Sequence, residues 1–242
     1  ILREAVRAVL PPEWYETLET KVGFVEASIG RMVPRMTEEQ MAEDPLLVCV
    51  EPYCELPLAA EGFKGEMPKI AHAKAYPNFA AYVERKLFVH NMSHAATAYL
   101  GHIQGHKYIY EAIQDPIVRP IVEAALQESC LGLSRKHGLN KDALDAFAAD
   151  LIHRYHNRAL ADQVARVGAD PKRKLGPDDR LVAPARMCIE QGIKPIALVQ
   201  VIIAAMDFDE PSDPAAVEIQ GILRMKGVDG VLDSICRLVP NE

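Results

Sequence analysis

The spacing of apolar residues changes near residue 78. Beyond that point, apolar side chains recur three and four residues apart, which is the period of an amphipathic α-helix. Phe79, Tyr82, Val83 and Leu87 form the first such stripe. The pattern predicts helices over most of the remaining chain, at 78–103, 115–135, 141–156, 184–191, 195–206, 214–226 and 228–238.

The first 77 residues lack this period. Two apolar, β-branched runs at 22–29 and 46–53 predict short strands. Because two strands alone do not make a stable sheet, we expect them to be edge strands of a larger one. The chain also opens in the middle of an amphipathic pattern at 1–10, so we expect a fragment whose N-terminal part has been removed. A Gly-, Pro- and charge-rich run at 166–180 predicts a loop.

Composition narrows the class of protein. The 242 residues are 49% hydrophobic with a net charge of −7, which favours a globular protein and argues against nucleic acid as a partner. No apolar run is long enough to predict a membrane span. The five cysteines are scattered without a Cys-x-x-Cys pair, which predicts reduced thiols in a cytoplasmic protein.

Three polar residues stand out in an otherwise apolar stretch. Lys86, Asn91 and His94 are five and three residues apart, which on an α-helix projects them at roughly 0°, 140° and 80°. All three can therefore face one cavity. Lysine can take or give a proton, while Asn and His can hydrogen-bond an oxygen, a combination suited to redox chemistry at a carbinol carbon.

Two other groups of residues suggest binding sites. The pairs His90–His94 and His102–His106 have a spacing that zinc sites use, but no Glu follows the first His and no cysteine is near, so we expect no metal. The basic run from Arg166 through Arg173 and Lys174 can clamp a phosphate or carboxylate. A solvated charged turn is an equally good interpretation of this run.

The motif Glu84-Arg-Lys86-Leu-Phe-x-x-Asn91-x-x-His94-Ala-x-x-Ala98-Tyr-Leu-Gly101 resembles the signature of the polyol-specific long-chain dehydrogenases. Shorter matches follow the family order along nearly the whole chain, at 31–34, 50–52, 63–65, 166–168, 171–175 and 179–182. The long motif is specific, whereas each short match is weak alone.

The resemblance implies an N-terminal Rossmann domain that binds NAD and a mostly helical C-terminal domain with a catalytic lysine. No Gly-x-Gly-x-x-Gly occurs in the chain. We therefore expect a mainly α, multi-helical C-terminal dehydrogenase domain with a few N-terminal edge strands, and the Rossmann domain missing. Residues 1–77 would be a linker helix and edge strands, and residues 78–242 the helical substrate-binding and catalytic domain.

The resemblance also implies the roles of individual residues. Lys86 would be the general base, Asn91 would hold the reacting oxygen, and His94 would hydrogen-bond the substrate. Arg166 and Lys174 match substrate-contact positions, and Arg173 could add phosphate affinity. The chain departs from the family in lacking an upstream Asn that shares the oxyanion, and at Gly30 and Arg158.

The implied reaction is NAD-dependent interconversion of a hexitol phosphate and a ketose phosphate, with no metal. Three hypotheses remain open. The leading one is the catalytic half of such an enzyme, inactive without its cofactor domain. The same fold acting on a free polyol or a hexuronate is the second, and a non-enzymatic helical interaction module is the third.

Overall fold

A computed structural model describes residues 1–34 and 36–238. The last four residues of the predicted domain 78–242 lie outside this range. The chain divides into two compact units, one formed by residues 1–32 and 50–83 and the other by residues 33–49 and 84–242.

In chain order, the helices and strands of the described residues are α1 (Leu2–Val9), α2 (Tyr15–Lys21), α3 (Glu38–Glu43), β1 (Leu56–Ala59), β2 (Ala73–Tyr76), α4 (Phe79–Arg85), a π-helical segment (Lys86–Asn91), α5 (Met92–Ile103), α6 (Ile109–Ala112), α7 (Val118–His137), α8 (Lys141–Tyr155), α9 (Val164–Gly168), α10 (Pro171–Lys174), α11 (Val182–Glu190), α12 (Ile196–Met206) and α13 (Pro214–Ser234). Single 3₁₀ turns occur at Pro12–Trp14, Ala60–Gly62 and Arg158–Leu160.

The strands of the first unit are not the ones predicted. β1 and β2 pair in parallel, with Leu56 opposite Ala73. The predicted strand at 22–29 contributes one antiparallel bridge, from Ala27 to Leu58, within the described range. The predicted strand at 46–53 is irregular. Apolar side chains in that run are largely exposed, so the β-branched pattern there does not mark a buried strand.

The second unit is helical, as the apolar period predicts, and α5 lies at its centre. α5 packs against α7, α9 and α12, and α7 packs against α8 and α11. Small residues allow these close approaches: a Cβ added at Gly101 would come within 2.6 Å of the Cβ of Ala112. The hydroxyl of Tyr99, a fully buried residue, donates to the carbonyl of Gly168 at 2.8 Å and so ties α5 to the end of α9.

The predicted helices after residue 115 are confirmed to within about three residues at most ends, because their ends carry local signals. Gly138 closes α7 in the left-handed conformation, and the Asn140 side chain accepts from the Ala143 N–H at the start of α8. The predicted break between 226 and 228 is a kink at Gly227 inside α13.

The predicted loop at 166–180 is wrong in part, because it contains the end of α9 and all of α10. Asp170 adopts a left-handed backbone conformation, and its side chain accepts from the N–H of Arg173. Pro171 occupies the first helical position, where its missing N–H leaves no donor unpaired. One-turn helices of this kind are too short to show an apolar period.

In the described residues, no helix combines the length and apolar character that crossing a membrane requires.

Candidate active site

The π-helical segment places the lysine and the asparagine of the motif on one side of the chain. The N–H of Met92 donates to the carbonyl of Leu87, five residues earlier. In such a turn, residues five apart follow one another along the same side. Lys86 and Asn91 are therefore closer in direction than the 140° or so that a regular α-helix gives. His94 follows Asn91 by three residues at the start of α5, which keeps it on the neighbouring face.

Lys86 has the electrostatic surroundings of a proton acceptor. Its side chain is half-buried. The loss of hydration, with a smaller effect of the Arg180 charge, lowers the pKa of Lys86. A larger fraction of its amine is therefore neutral near pH 7 than in a solvated lysine.

His94 is held between a ring and a carboxylate. Its imidazole stacks on the phenol of Tyr155, with ring centroids 5.2 Å apart and planes 11° apart. Nε2 of His94 lies 2.9 Å from Oδ2 of Asp162, although the N–H direction misses that oxygen, so the contact is electrostatic rather than an aligned hydrogen bond. The Tyr155 hydroxyl is itself fixed, 2.8 Å from the hydroxyl of Ser93.

His94 is neutral at physiological pH. Burial, together with the charges of Arg166, Arg180 and Lys174, lowers the pKa of His94 to about 3. The Asp162 carboxylate alone would raise this pKa, but it is shared with the guanidinium of Arg166. Burial and the surrounding cations therefore outweigh the carboxylate.

Two of the three predicted basic residues, Arg166 and Lys174, are near enough to His94 for their charges to lower its pKa. Arg166, on α9, pairs with Asp162 and lowers the pKa of His94 through its charge. Lys174 is 4% exposed, and its ammonium donates to the carbonyl of Ala169. Burial and the charge of Arg180 lower the pKa of Lys174 to about 8.

Arg173 faces a different surface. Its Nε lies 2.9 Å from Oδ2 of Asp170, and one terminal nitrogen lies 3.2 Å from Oδ2 of Asp179. It lines an open cleft of about 550 Å³, together with Lys172, that does not include the motif residues. Its part in substrate binding stays a prediction, and its contacts are those of a charged surface turn.

The sequence interpretation missed two residues of this site. Arg180, whose side chain is 17% exposed, contributes through its charge to the lowered pKa of Lys86, His94 and Lys174. Its signal was its place six residues after Lys174, at the end of the charged run 166–180. Asp162 gave a weaker signal, an acidic residue four positions before Arg166, which is a common ion-pair spacing on a helix.

Among the described residues, no group of three or more His, Cys, Asp or Glu side chains is arranged so that it could hold a metal ion. His102 and His106 each pair with a separate carboxylate, at 2.7 Å from Asp209 and 2.8 Å from Asp115. His90 is 5% exposed and its Nδ1 has no hydrogen-bond partner among the described residues. Burial, with smaller effects of nearby cations, lowers the pKa of His90 to about 2.

Comparison with known proteins gives two family models, one for each part of the chain. Residues 78–229 match the mannitol dehydrogenase C-terminal domain, and residues 1–72 match the mannitol dehydrogenase Rossmann domain. The expectation that the Rossmann domain is missing is therefore wrong. Residues 1–72 were not recognised because they carry no glycine-rich phosphate loop, and because β1, which lies within them and pairs with β2 just beyond, was not predicted.

Curated relatives match the chain from end to end. Mannitol-1-phosphate 5-dehydrogenases from Bacillus pumilus, Bacillus subtilis and Thermoanaerobacter pseudethanolicus are 39%, 38% and 36% identical to it. Each alignment covers 100% of this chain and 62% of the relative. The chain thus spans less than two thirds of the length of these relatives.

Solved structures share the fold. The substrate-free form of a D-sorbitol dehydrogenase superposes with a TM-score of 0.70 at 18% identity, covering 84% of this chain and 43% of that one. A Pseudomonas fluorescens mannitol 2-dehydrogenase, solved as a ternary complex with NAD and D-mannitol, superposes with a TM-score of 0.66 at 23% identity, covering 97% and 50%. With the family models and curated relatives, these findings establish that the chain belongs to the mannitol dehydrogenase family.

Proposed function

We propose that this chain is the catalytic and substrate-binding part, with a portion of the Rossmann domain, of an NAD-dependent polyol dehydrogenase. The proposed reaction interconverts mannitol 1-phosphate and fructose 6-phosphate. The observation that carries the proposal is the half-buried Lys86 on the π-helical segment with Asn91, His94 at the start of α5, and Arg180 near enough for its charge to lower the pKa of Lys86. The three curated relatives, each named mannitol-1-phosphate 5-dehydrogenase, support mannitol 1-phosphate as the substrate.

Lys86 supplies the proton chemistry. During oxidation of the polyol, its neutral amine takes the hydroxyl proton while the carbinol carbon loses a hydride. During reduction of the ketose, its ammonium returns that proton to the forming alkoxide. A pKa lowered toward neutrality suits both directions, because a general acid–base catalyst works best when its pKa is near the working pH.

Asn91 and His94 orient the substrate. The amide of Asn91 can donate to the oxygen that gains negative charge, and one such donor is worth roughly 3 kcal/mol in the transition state. His94, being neutral, adds no positive charge to the site. We assign Arg166 and Lys174 to the anionic group of the substrate, with Arg173 as a more remote candidate.

The chemistry that bound NAD would supply is acceptance of the hydride from the carbinol carbon. The side chains of this chain fit that chemistry, because Lys86 can take the proton that hydride loss leaves behind. The absence of Gly-x-Gly-x-x-Gly means that no residue here is assigned to the dinucleotide phosphates.

All five thiols are free, which supports a cytoplasmic location for the enzyme.

The test uses the complete protein that carries this sequence, with NADH oxidation by fructose 6-phosphate as the assay. We expect saturable activity that falls by about a hundredfold or more in Lys86→Ala, because a positioned acid–base group contributes at least that much. Lys141→Ala is the matched control, since Lys141 forms a surface pair with Asp145 and should leave turnover unchanged.

Three other outcomes would contradict parts of the proposal. Turnover of free fructose or a hexuronate in preference to fructose 6-phosphate would remove the phosphate assignment. Full activity in Lys86→Ala would remove the assigned base. No turnover of any polyol or ketose by a folded, NADH-binding protein would favour the interaction module instead.

A further inference from the structure

Asp162 contacts two of the candidate substrate residues at once. Its Oδ2 lies 2.9 Å from Nε2 of His94, and its Oδ1 pairs with the guanidinium of Arg166. The Asp162 side chain is 10% exposed. A buried carboxylate is stable only when its charge is compensated, and these two groups provide the compensation.

The backbone holds this carboxylate in place. The N–H of Ile109 donates to the carbonyl of Asp162 at 2.9 Å, and the N–H of Val164 donates to the carbonyl of Lys107 at 2.9 Å. An antiparallel bridge joins the residues between them. Asp162 therefore lies in a segment that is hydrogen-bonded to the backbone at residues 107–109, immediately before α9.

The 2.9 Å contact determines which nitrogen of His94 carries the proton. Although the Nε2–H direction does not point at Oδ2, a partly positive N–H is favoured beside a carboxylate oxygen 2.9 Å away, whereas a bare nitrogen would be repelled by it, so we assign the hydrogen to Nε2. Because His94 is neutral, its other nitrogen, Nδ1, has no proton. Nδ1 is then an acceptor, able to receive a hydrogen bond from a hydroxyl.

We infer that Asp162 is a positioning residue for the polyol reaction, fixing His94 as the Nε2–H tautomer and holding Arg166 beside it. Nδ1 of His94 then accepts a hydrogen bond from a substrate hydroxyl, and the guanidinium of Arg166 is held on the same side for the substrate. This inference rests on the proposed function for the identity of the ligand, but the tautomer itself does not depend on turnover.

The first measurement is therefore spectroscopic. The complete protein is labelled with ¹⁵N-histidine, the His94 signals are assigned by their loss in His94→Gln, and the ring nitrogen shifts at neutral pH report the tautomer. We expect the Nε2–H form in the wild type and a mixture in Asp162→Asn. A wild type with the proton on Nδ1, or an unchanged tautomer in a folded Asp162→Asn variant, would overturn the inference.

The second measurement is kinetic. Asp162→Asn should raise the KM for fructose 6-phosphate about tenfold or more, since the charge is lost and the amide NH₂ group replaces the oxygen that faces either His94 or Arg166. In a His94→Asn background, the same change should have at least a threefold smaller effect, because the two residues act together. Asp209→Asn is the matched control, since it removes a carboxylate from another histidine pair at an exposed position.

Equal effects of Asp162→Asn in both backgrounds would show a structural role only and overturn the positioning role. If Asp162→Asn does not fold, Asp162→Glu keeps the charge and displaces it, and both readouts are repeated on that variant. Absence of polyol turnover in the wild type would count against the proposed function, whereas the tautomer would still decide the role of Asp162.

Discussion

At the scale of single residues, burial of imidazoles has a measurable effect on stability. His90 is 5% exposed and its pKa is lowered to about 2 by burial. The unfolded chain, with an ordinary histidine, binds a proton below about pH 6.5 while the folded protein does not. Folding stability contributed by this group is therefore lost progressively as the pH falls from 6.5.

We predict that His90→Gln makes stability less sensitive to acid. Between about pH 7 and pH 5 the wild type should lose roughly 2 kcal/mol more unfolding free energy than the variant, at about 1.4 kcal/mol per pH unit below 6.5. Urea unfolding at the two pH values measures this difference. His153→Gln, at an exposed position, is the control. An equal loss in wild type and His90→Gln would contradict the prediction.

The sequence could predict the residues of the motif but not their partners. Lys86, Asn91 and His94 are close along the chain, so their proximity follows from local geometry alone. Asp162 and Arg180 reach them through tertiary packing, which no local pattern encodes. The sequence analysis also treated Arg173 and Lys174 as one basic group. In the one-turn α10 Lys174 is buried and Arg173 is exposed, a difference that depends on tertiary packing and that the sequence pattern does not show.

At the scale of elements, the end of α9 packs tightly against an aromatic ring. A Cβ added at Gly168 would lie 2.8 Å from the ring of Phe208, which is fully buried and also contacts Tyr99 edge to face at 5.4 Å. Neither ring can move without disturbing the core. The position of α9, and with it that of Arg166, therefore depends on the absence of a side chain at residue 168.

We predict that Gly168→Ala destabilises the protein by about 1–3 kcal/mol, the usual cost of overpacking a core. Gly221→Ala is the matched control. Gly221 lies within α13 with nothing within 4 Å of an added Cβ, so alanine there should stabilise by up to about 1 kcal/mol. Chemical denaturation of both variants gives the comparison. A Gly168→Ala protein as stable as Gly221→Ala would contradict the packing argument.

The strands show where element prediction fails. The apolar runs at 22–29 and 46–53 have strand-like composition, yet the parallel pair forms at 56–59 and 73–76 instead. Strand composition measures how well a residue fits a half-buried pleated surface. Which run is covered depends on the rest of the fold, so composition alone selected the wrong runs. The longer helices after residue 115 carried their own end signals and were predicted closely, whereas the short ones were not.

At the scale of the whole molecule, charge is distributed unevenly. The chain has a net charge of −7, yet Arg166, Lys174 and Arg180 all act on His94. Such a local positive potential attracts an anionic ligand despite the overall charge, and dissolved salt weakens that attraction.

Given the proposed function, we predict that salt affects a phosphorylated substrate selectively. Raising the ionic strength about tenfold, to around 0.2 M, should increase the KM for fructose 6-phosphate several-fold and leave that for free fructose nearly unchanged. Initial rates of NADH oxidation at both salt concentrations give the two values. Equal salt responses for the two sugars would argue that no phosphate group meets these cations.

The widened turn at Lys86–Asn91 also limits how this motif can be reused in protein engineering. A π-helical turn accommodates one residue more than an α-helical turn. If the same sequence were placed on a regular α-helix of another scaffold, the side-chain amide of Asn91 would be rotated away from the amine of Lys86. To keep the two groups side by side on such a helix, the graft should shorten their separation from five residues to four.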